Sequence, residues 1–87
     1  MFYTYILQSE KDNSFYIGYT ANLQQRLFKH NNAKSGYTAT KKPWKIVYFE
    51  EFDNKTDALK REIAIKKTKS QEYIKALIEN KAKDSVG

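Results

Sequence analysis

Tyr16-Ile17-Gly18-Tyr19-Thr20-Ala21-Asn22-Leu23-Gln24-Gln25-Arg26-Leu27-Phe28-Lys29-His30 is the stretch whose reading decides the fold. It reads as a short strand, a turn and an amphipathic helix. Leu23 and Leu27 are four apart and share one helical face. Arg26 and His30 are also four apart. At about 100° per residue, Leu23, Arg26, Leu27 and His30 fall within roughly one third of the helix circumference. An arginine and a histidine thus lie on or beside the stripe that faces the core. One reading is a polar cleft at the edge of a buried face. The other is plainer: Arg26 snorkels past the core, and His30 sits at the helix end where the dipole favours it.

Upstream, Phe2 to Gln8 carries aromatic and branched residues on both alternating sets and reads as a strand covered on both faces. Ser9-Glu10-Lys11-Asp12-Asn13-Ser14 is a turn, and Phe15 to Tyr19 is the second strand of an antiparallel hairpin. A turn centred near Lys11 puts Tyr5 and Tyr16 opposite or diagonal on one face, where two tyrosines ordinarily form a packing pair. Gly18 inside a strand implies a close approach or a bend. Asn22 is suited to cap the helix, with Gln25 three residues on as in a capping box.

Downstream, the helix is expected to end near His30 or Asn31, and the segment to Pro43 reads as a polar, basic loop. Lys34, Lys41 and Lys42 there are either phosphate contacts or simply solvated. Trp44 to Phe52 is a third strand, apolar in the middle on both alternating sets, which suggests a central position. Thr56 is the expected cap of a helix over Asp57–Lys67, with Ala58, Leu59, Ile63 and Ile65 inward. Glu62 borders that face and is followed four residues later by Lys66; a surface ion pair of this kind contributes about 0.2–0.5 kcal/mol. Ser70 caps a last helix to about Lys81, with Tyr73, Ile74, Leu77 and Ile78 inward.

The expected fold class is therefore α+β: a small three-stranded antiparallel sheet flanked by helices, in the order β-β-α-β-α-α. One domain spans residues 1–80, and 81–87 is expected to fray. With no cysteine there are neither disulfides nor thiolate metal sites. No apolar run spans a membrane, and the first residues lack the pattern of a signal peptide, so the expected compartment is the cytoplasm. A net charge of +6 favours a polyanionic partner.

Together these residues resemble the GIY-YIG nuclease superfamily, specifically its small single-domain (UPF0213-like) members, over residues 2 to about 78. The second half of the name motif is intact as Tyr16-Ile17-Gly18; in the first half, Tyr3-Thr4-Tyr5 stands for Gly-Ile-Tyr and keeps the tyrosine. The family arginine, ten residues after the motif tyrosine, is Arg26. His30 follows one helical turn later, and Glu62 matches the acidic residue of the helix after the third strand. Tyr19 stands where some repair nucleases have lysine. Several relatives carry a later supporting asparagine, for which Asn80 on the last helix is the open position.

The resemblance implies metal-dependent hydrolysis of DNA phosphodiesters, on branched, damaged or single-stranded DNA, as in DNA repair. Glu62 would ligate Mg²⁺ or Mn²⁺ and Arg26 would clamp the phosphate. Tyr16 would act as base or water activator, with Tyr5 and His30 orienting it or sharing the proton. Gly18 would lie against substrate, and Lys41, Lys42 and Lys66 would contact it. Two other readings stay open at this point: a basic module that binds nucleic acid without cutting, and an accessory protein that needs a partner.

Overall fold

A computed structural model of the chain describes residues 1–86. The elements are β1 (Phe2–Ser9), β2 (Phe15–Thr20), α1 (Leu23–Asn31), α2 (Tyr37–Lys41), β3 (Trp44–Phe52), α3 (Lys55–Thr68) and α4 (Gln71–Val86). The three strands form one antiparallel sheet in the order β2-β1-β3, with α1 and α3–α4 packing on opposite sides. The expected α+β architecture is present, with one additional short helix.

β1 lies in the middle and is the most buried strand, as its two apolar alternating sets imply. Tyr5 and Leu7 pack with Trp44, Tyr16, Leu23 and Leu27. Thr4 and Ile6 point the other way; Ile6 packs with Ile65 and Ile74, and the Thr4 hydroxyl donates to the Ala58 carbonyl at 2.6 Å. Full burial of each such aliphatic side chain stabilises the fold by roughly 1.5–3 kcal/mol.

β3 is an edge strand rather than the central one. Its two apolar faces reflect helices above and below the sheet, which says nothing about lateral pairing. It also carries a bulge: Ile6 pairs with Tyr48 and Leu7 with Ile46, so Val47 is the extra residue. The bulge breaks simple alternation. Trp44, Ile46 and Phe49 share the Tyr5 side, whereas Val47 and Tyr48 both lie on the Ile6 side.

The helix starts follow capping chemistry. The Asn22 side chain accepts from the Gln25 amide at 3.0 Å, as expected, and Ser70 accepts from the Tyr73 amide at 3.2 Å. α3, however, starts earlier than expected: Asn54, not Thr56, is its cap and accepts from the Asp57 amide at 2.9 Å. Lys69 in the left-handed region (φ 50°) ends α3.

The segment expected to be loop contains α2. Its sequence, Tyr-Thr-Ala-Thr-Lys, has weak helix propensity, so tertiary bonds hold it. The Ser9 hydroxyl donates to the Lys41 carbonyl at 2.5 Å, and the Trp44 indole donates to the Thr38 carbonyl at 3.0 Å. Gly36, at φ 87°, makes the turn into it. In α4, Ile74 is buried as expected but Tyr73 is exposed, where its hydroxyl accepts from Arg61. α4 continues past Lys81 to Val86, and Gly87, the last residue of the tail expected to fray, lies outside the described residues.

Candidate active site

The hairpin register sets two tyrosines on one face. Tyr5 pairs with Gly18 and Tyr16 with Leu7, so the two rings are diagonal neighbours, stacked with centroids 6.4 Å apart. α1 lies over this face, held by Leu23 and Leu27, and delivers His30, its one buried residue. The Tyr5 hydroxyl and His30 Nε2 are hydrogen-bonded at 3.2 Å. The Tyr16 ring packs on the imidazole at 4.6 Å and meets the Trp44 indole edge-on at 6.1 Å.

Burial decides the protonation states of the inner pair. Burial, then the neighbouring Tyr16, then the Glu62 charge push the Tyr5 phenol well above its ordinary range; Arg26 opposes them. Burial, followed by the Arg26 charge, lowers His30 below the usual histidine value. At neutral pH, Tyr5 is therefore protonated and His30 is neutral, and the bond between them joins two uncharged groups. Tyr16 sits nearer the surface: it is half-buried, whereas Tyr5 is buried.

Arg26, one turn before His30, is exposed, and its charge acts on both inner groups. Among the described residues no carboxylate pairs with it. Its guanidinium fork is thus open to an anion.

Glu62 arrives from the opposite layer. α3 buries Ala58, Glu62 and Ile65, a stripe at i, i+4 and i+7, while Ile63 faces solvent. This reverses the expectation for Ile63 and moves Glu62 from the border of the face to its middle. The Thr4 bond to Ala58 pins this turn, because the Ala58 carbonyl is also the helical partner of the residue-62 amide. The Glu62 carboxylate has one described ion pair, to the exposed Lys66 at 3.6 Å, and no described hydrogen bond. A buried carboxylate with free lone pairs fits Mg²⁺, which keeps most of its waters and takes one or two protein carboxylates. It does not fit an all-protein cage: among the described residues no group of three or more metal-ligating side chains exists.

The remaining residues singled out in the sequence hold different places: Gly18 under the Tyr5 ring, Lys66 against Glu62, and Lys41 and Lys42 in bonds around α2. Gly18 was expected against substrate, but the Tyr5 ring covers it: a Cβ there would meet the Tyr5 hydroxyl at 2.6 Å. The close approach is internal. Lys41 pairs with Asp12, which holds that carboxyl far below its usual range. The Lys42 ammonium donates to the Ala33 carbonyl at 3.0 Å, and Lys66 pairs with Glu62. Asn80 is exposed on α4, which packs on the Ile6 side of the sheet. Two contributors escaped sequence reasoning. Trp44 backs Tyr16, and Asn31 clamps the Trp44 backbone by bonds of 2.5 and 3.1 Å. The chain's lone tryptophan, just after its lone proline, was the available signal for the first.

Comparison with known proteins shows the family of the chain. The GIY-YIG catalytic domain family matches residues 1–75. A UPF0213 protein of Staphylococcus saprophyticus is 42% identical over 78 residues, covering 88% of this chain and 94% of the relative. One from Clostridium perfringens is 50% identical over 68 residues, covering 77% and 72%. The solution structure of a UPF0213 protein from Bacillus halodurans superposes with a TM-score of 0.59 at 31% identity, covering 93% of this chain and 86% of the other. No helix among the described residues is long and apolar enough to cross a membrane. The two stacked tyrosines, the buried histidine, the open arginine and the inward glutamate thus stand in the framework of a nuclease fold, and the chain belongs to the GIY-YIG family.

Proposed function

We propose that the protein is a divalent-metal-dependent endonuclease that hydrolyses DNA phosphodiester bonds. The observation that carries this reading is the meeting of Tyr5, Tyr16, Arg26 and His30 on one side of the sheet, with the Glu62 charge reaching Tyr5 from the other. Packing alone does not require an exposed arginine with no described ion pair on the tyrosine side, nor a buried carboxylate on the helix across the sheet.

Arg26 binds the scissile phosphate through its fork and offsets charge on its oxygens. Tyr16, at the outer edge of the ring cluster, takes the proton of the attacking water or orients that water. His30, kept neutral, holds the tyrosine rings in place and is able to accept a proton. Tyr5 is a positioning group: it is protonated, buried and bonded to His30. Glu62 would hold Mg²⁺ or Mn²⁺, which when bound stabilises the leaving oxygen. Lys66 would give up its ion pair there; it is exposed, so its loss costs little.

The test is cleavage of labelled single-stranded, duplex, splayed and four-way DNA with Mg²⁺, Mn²⁺ or EDTA, beside Glu62→Ala. The expected result is metal-dependent cutting that Glu62→Ala abolishes while DNA binding and thermal stability persist. Binding without cutting by the unaltered protein under every metal condition would replace this reading with a non-catalytic binding module.

A further inference from the structure

Tyr37 is half open to solvent, at 53% exposure, although it opens a helix packed against the body of the domain. Its ring lies against the Trp44 indole, with centroids 6.2 Å apart. Trp44 is itself fixed on three sides. Asn31 bonds both its backbone amide and its carbonyl, and the indole donates to Thr38. The Trp44 ring also meets Tyr16, edge-on at 6.1 Å. One indole is therefore in ring contact with both Tyr37 and the tyrosine assigned to water activation.

One lysine lies over the Tyr37 ring, and two more flank its helix in sequence. The Lys41 ammonium is 5.8 Å from its ring centroid, and its ion pair with Asp12 holds it there. Lys34 is exposed in the connection just before α2, and Lys42 is exposed just after it. A braced, exposed aromatic face beside basic side chains has the parts that single-strand binding uses: a stacking surface for a base and charge for the backbone. A fully paired duplex offers no free base face except at its ends.

We propose that Tyr37, braced by Trp44, is the platform on which an unpaired nucleobase flanking the scissile phosphate stacks. This deepens the nuclease reading and rests on it for the position of the phosphate. It assigns the substrate class as DNA with unpaired bases next to the cut: a single strand, a splayed arm or a loop. Tyr37 is a specificity determinant here and takes no part in proton transfer.

The experiment is a binding titration in EDTA, so that no turnover occurs. The probes are a single-stranded oligonucleotide carrying the fluorescent base 2-aminopurine and the blunt duplex of the same sequence. Tyr37→Ala should weaken single-strand binding by about 5- to 100-fold and abolish the quenching of the probe base, with duplex binding within about twofold. Tyr37→Phe keeps the ring and should restore both signals, which also answers any concern that the alanine variant misfolds. Phe28→Ala removes another exposed ring, on α1, and should change nothing. Equal losses on single strand and duplex, no loss at all, a Phe28→Ala effect as large as that of Tyr37→Ala, or absence of single-strand binding would each overturn the proposal. Failure of the nuclease reading shows up separately, as absent cleavage with this binding pattern intact.

Discussion

The two sides of the sheet are built from different chemistry, although one strand supplies both. Toward α1, β1 sends Tyr5 and Leu7 into a cluster of rings with Tyr16 and Trp44, joined by the His30 imidazole. Toward α3 and α4 it sends Ile6 into an aliphatic cluster with Ile65 and Ile74. Aliphatic burial is non-directional and rewards area alone. Rings with hydroxyls or ring nitrogens must also satisfy hydrogen bonds and edge-to-face geometry, so they are oriented as well as buried. One side holds the domain together and the other holds groups at set angles. Glu62 crosses the division: it belongs to the aliphatic layer by its helix and to the ring layer by its charge.

That division can be broken by substitution. Tyr16→Phe keeps the ring against His30 and Trp44 and removes only the hydroxyl. Cleavage should fall about 10²–10⁴-fold, or roughly 3–5 kcal/mol in the barrier, with an unchanged melting curve. Unfolding by this variant would assign Tyr16 to packing instead. Ile65→Ala is the converse. It should cost about 2–5 kcal/mol of stability in chemical denaturation, while the molecules that remain folded cleave at a near-normal rate. A rate loss larger than the unfolded fraction accounts for would mean that α3 packing tunes Glu62, which sharpens the comparison at its one crossing point.

The smallest effect is a pH slope. Burial and Arg26 lower His30 in the folded state relative to its ordinary value near 6.5. Below about pH 6.5 the unfolded chain therefore binds a proton that the folded chain refuses. Stability is full above that pH and falls as the pH drops toward the folded value. His30→Gln should flatten this slope in denaturant midpoints measured between pH 5 and 7. An unchanged slope would show that the ring side lets water reach its imidazole.

How much of this was legible in the sequence depended on whether the signal was local. Asn22, Ser70 and the hairpin turn act through nearby backbone, and their elements lie where the residues say. The diagonal pairing of Tyr5 and Tyr16 followed from the same short range. The edge position of β3 was not legible, because apolar faces report the layers above and below but not the neighbours alongside. The Val47 bulge was hidden as well, since an extra residue leaves composition unchanged while reversing every face beyond it. α2 was missed because its bonds come from Ser9 and Trp44, outside its own sequence. In the site, spacing suggested Arg26 and His30 at the edge of a buried face. The assignment of Glu62 to the same site came from the family resemblance alone; its helix packs on the Ile6 side of the sheet. An inward glutamate beside an outward isoleucine is a reversal that periodicity assigns the other way.

Thr4 and Tyr5 are consecutive residues, yet one anchors α3 and the other bonds to α1. The two layers thus share a single peptide unit as their origin, about 3.3 Å of strand. Both helices are thus tied to adjacent residues of one buried strand. Opening of β1 within its sheet would release both ties at once. Amide exchange at Thr4 and Tyr5 should be among the slowest in the chain, and it would serve as a clock for how long both ties hold.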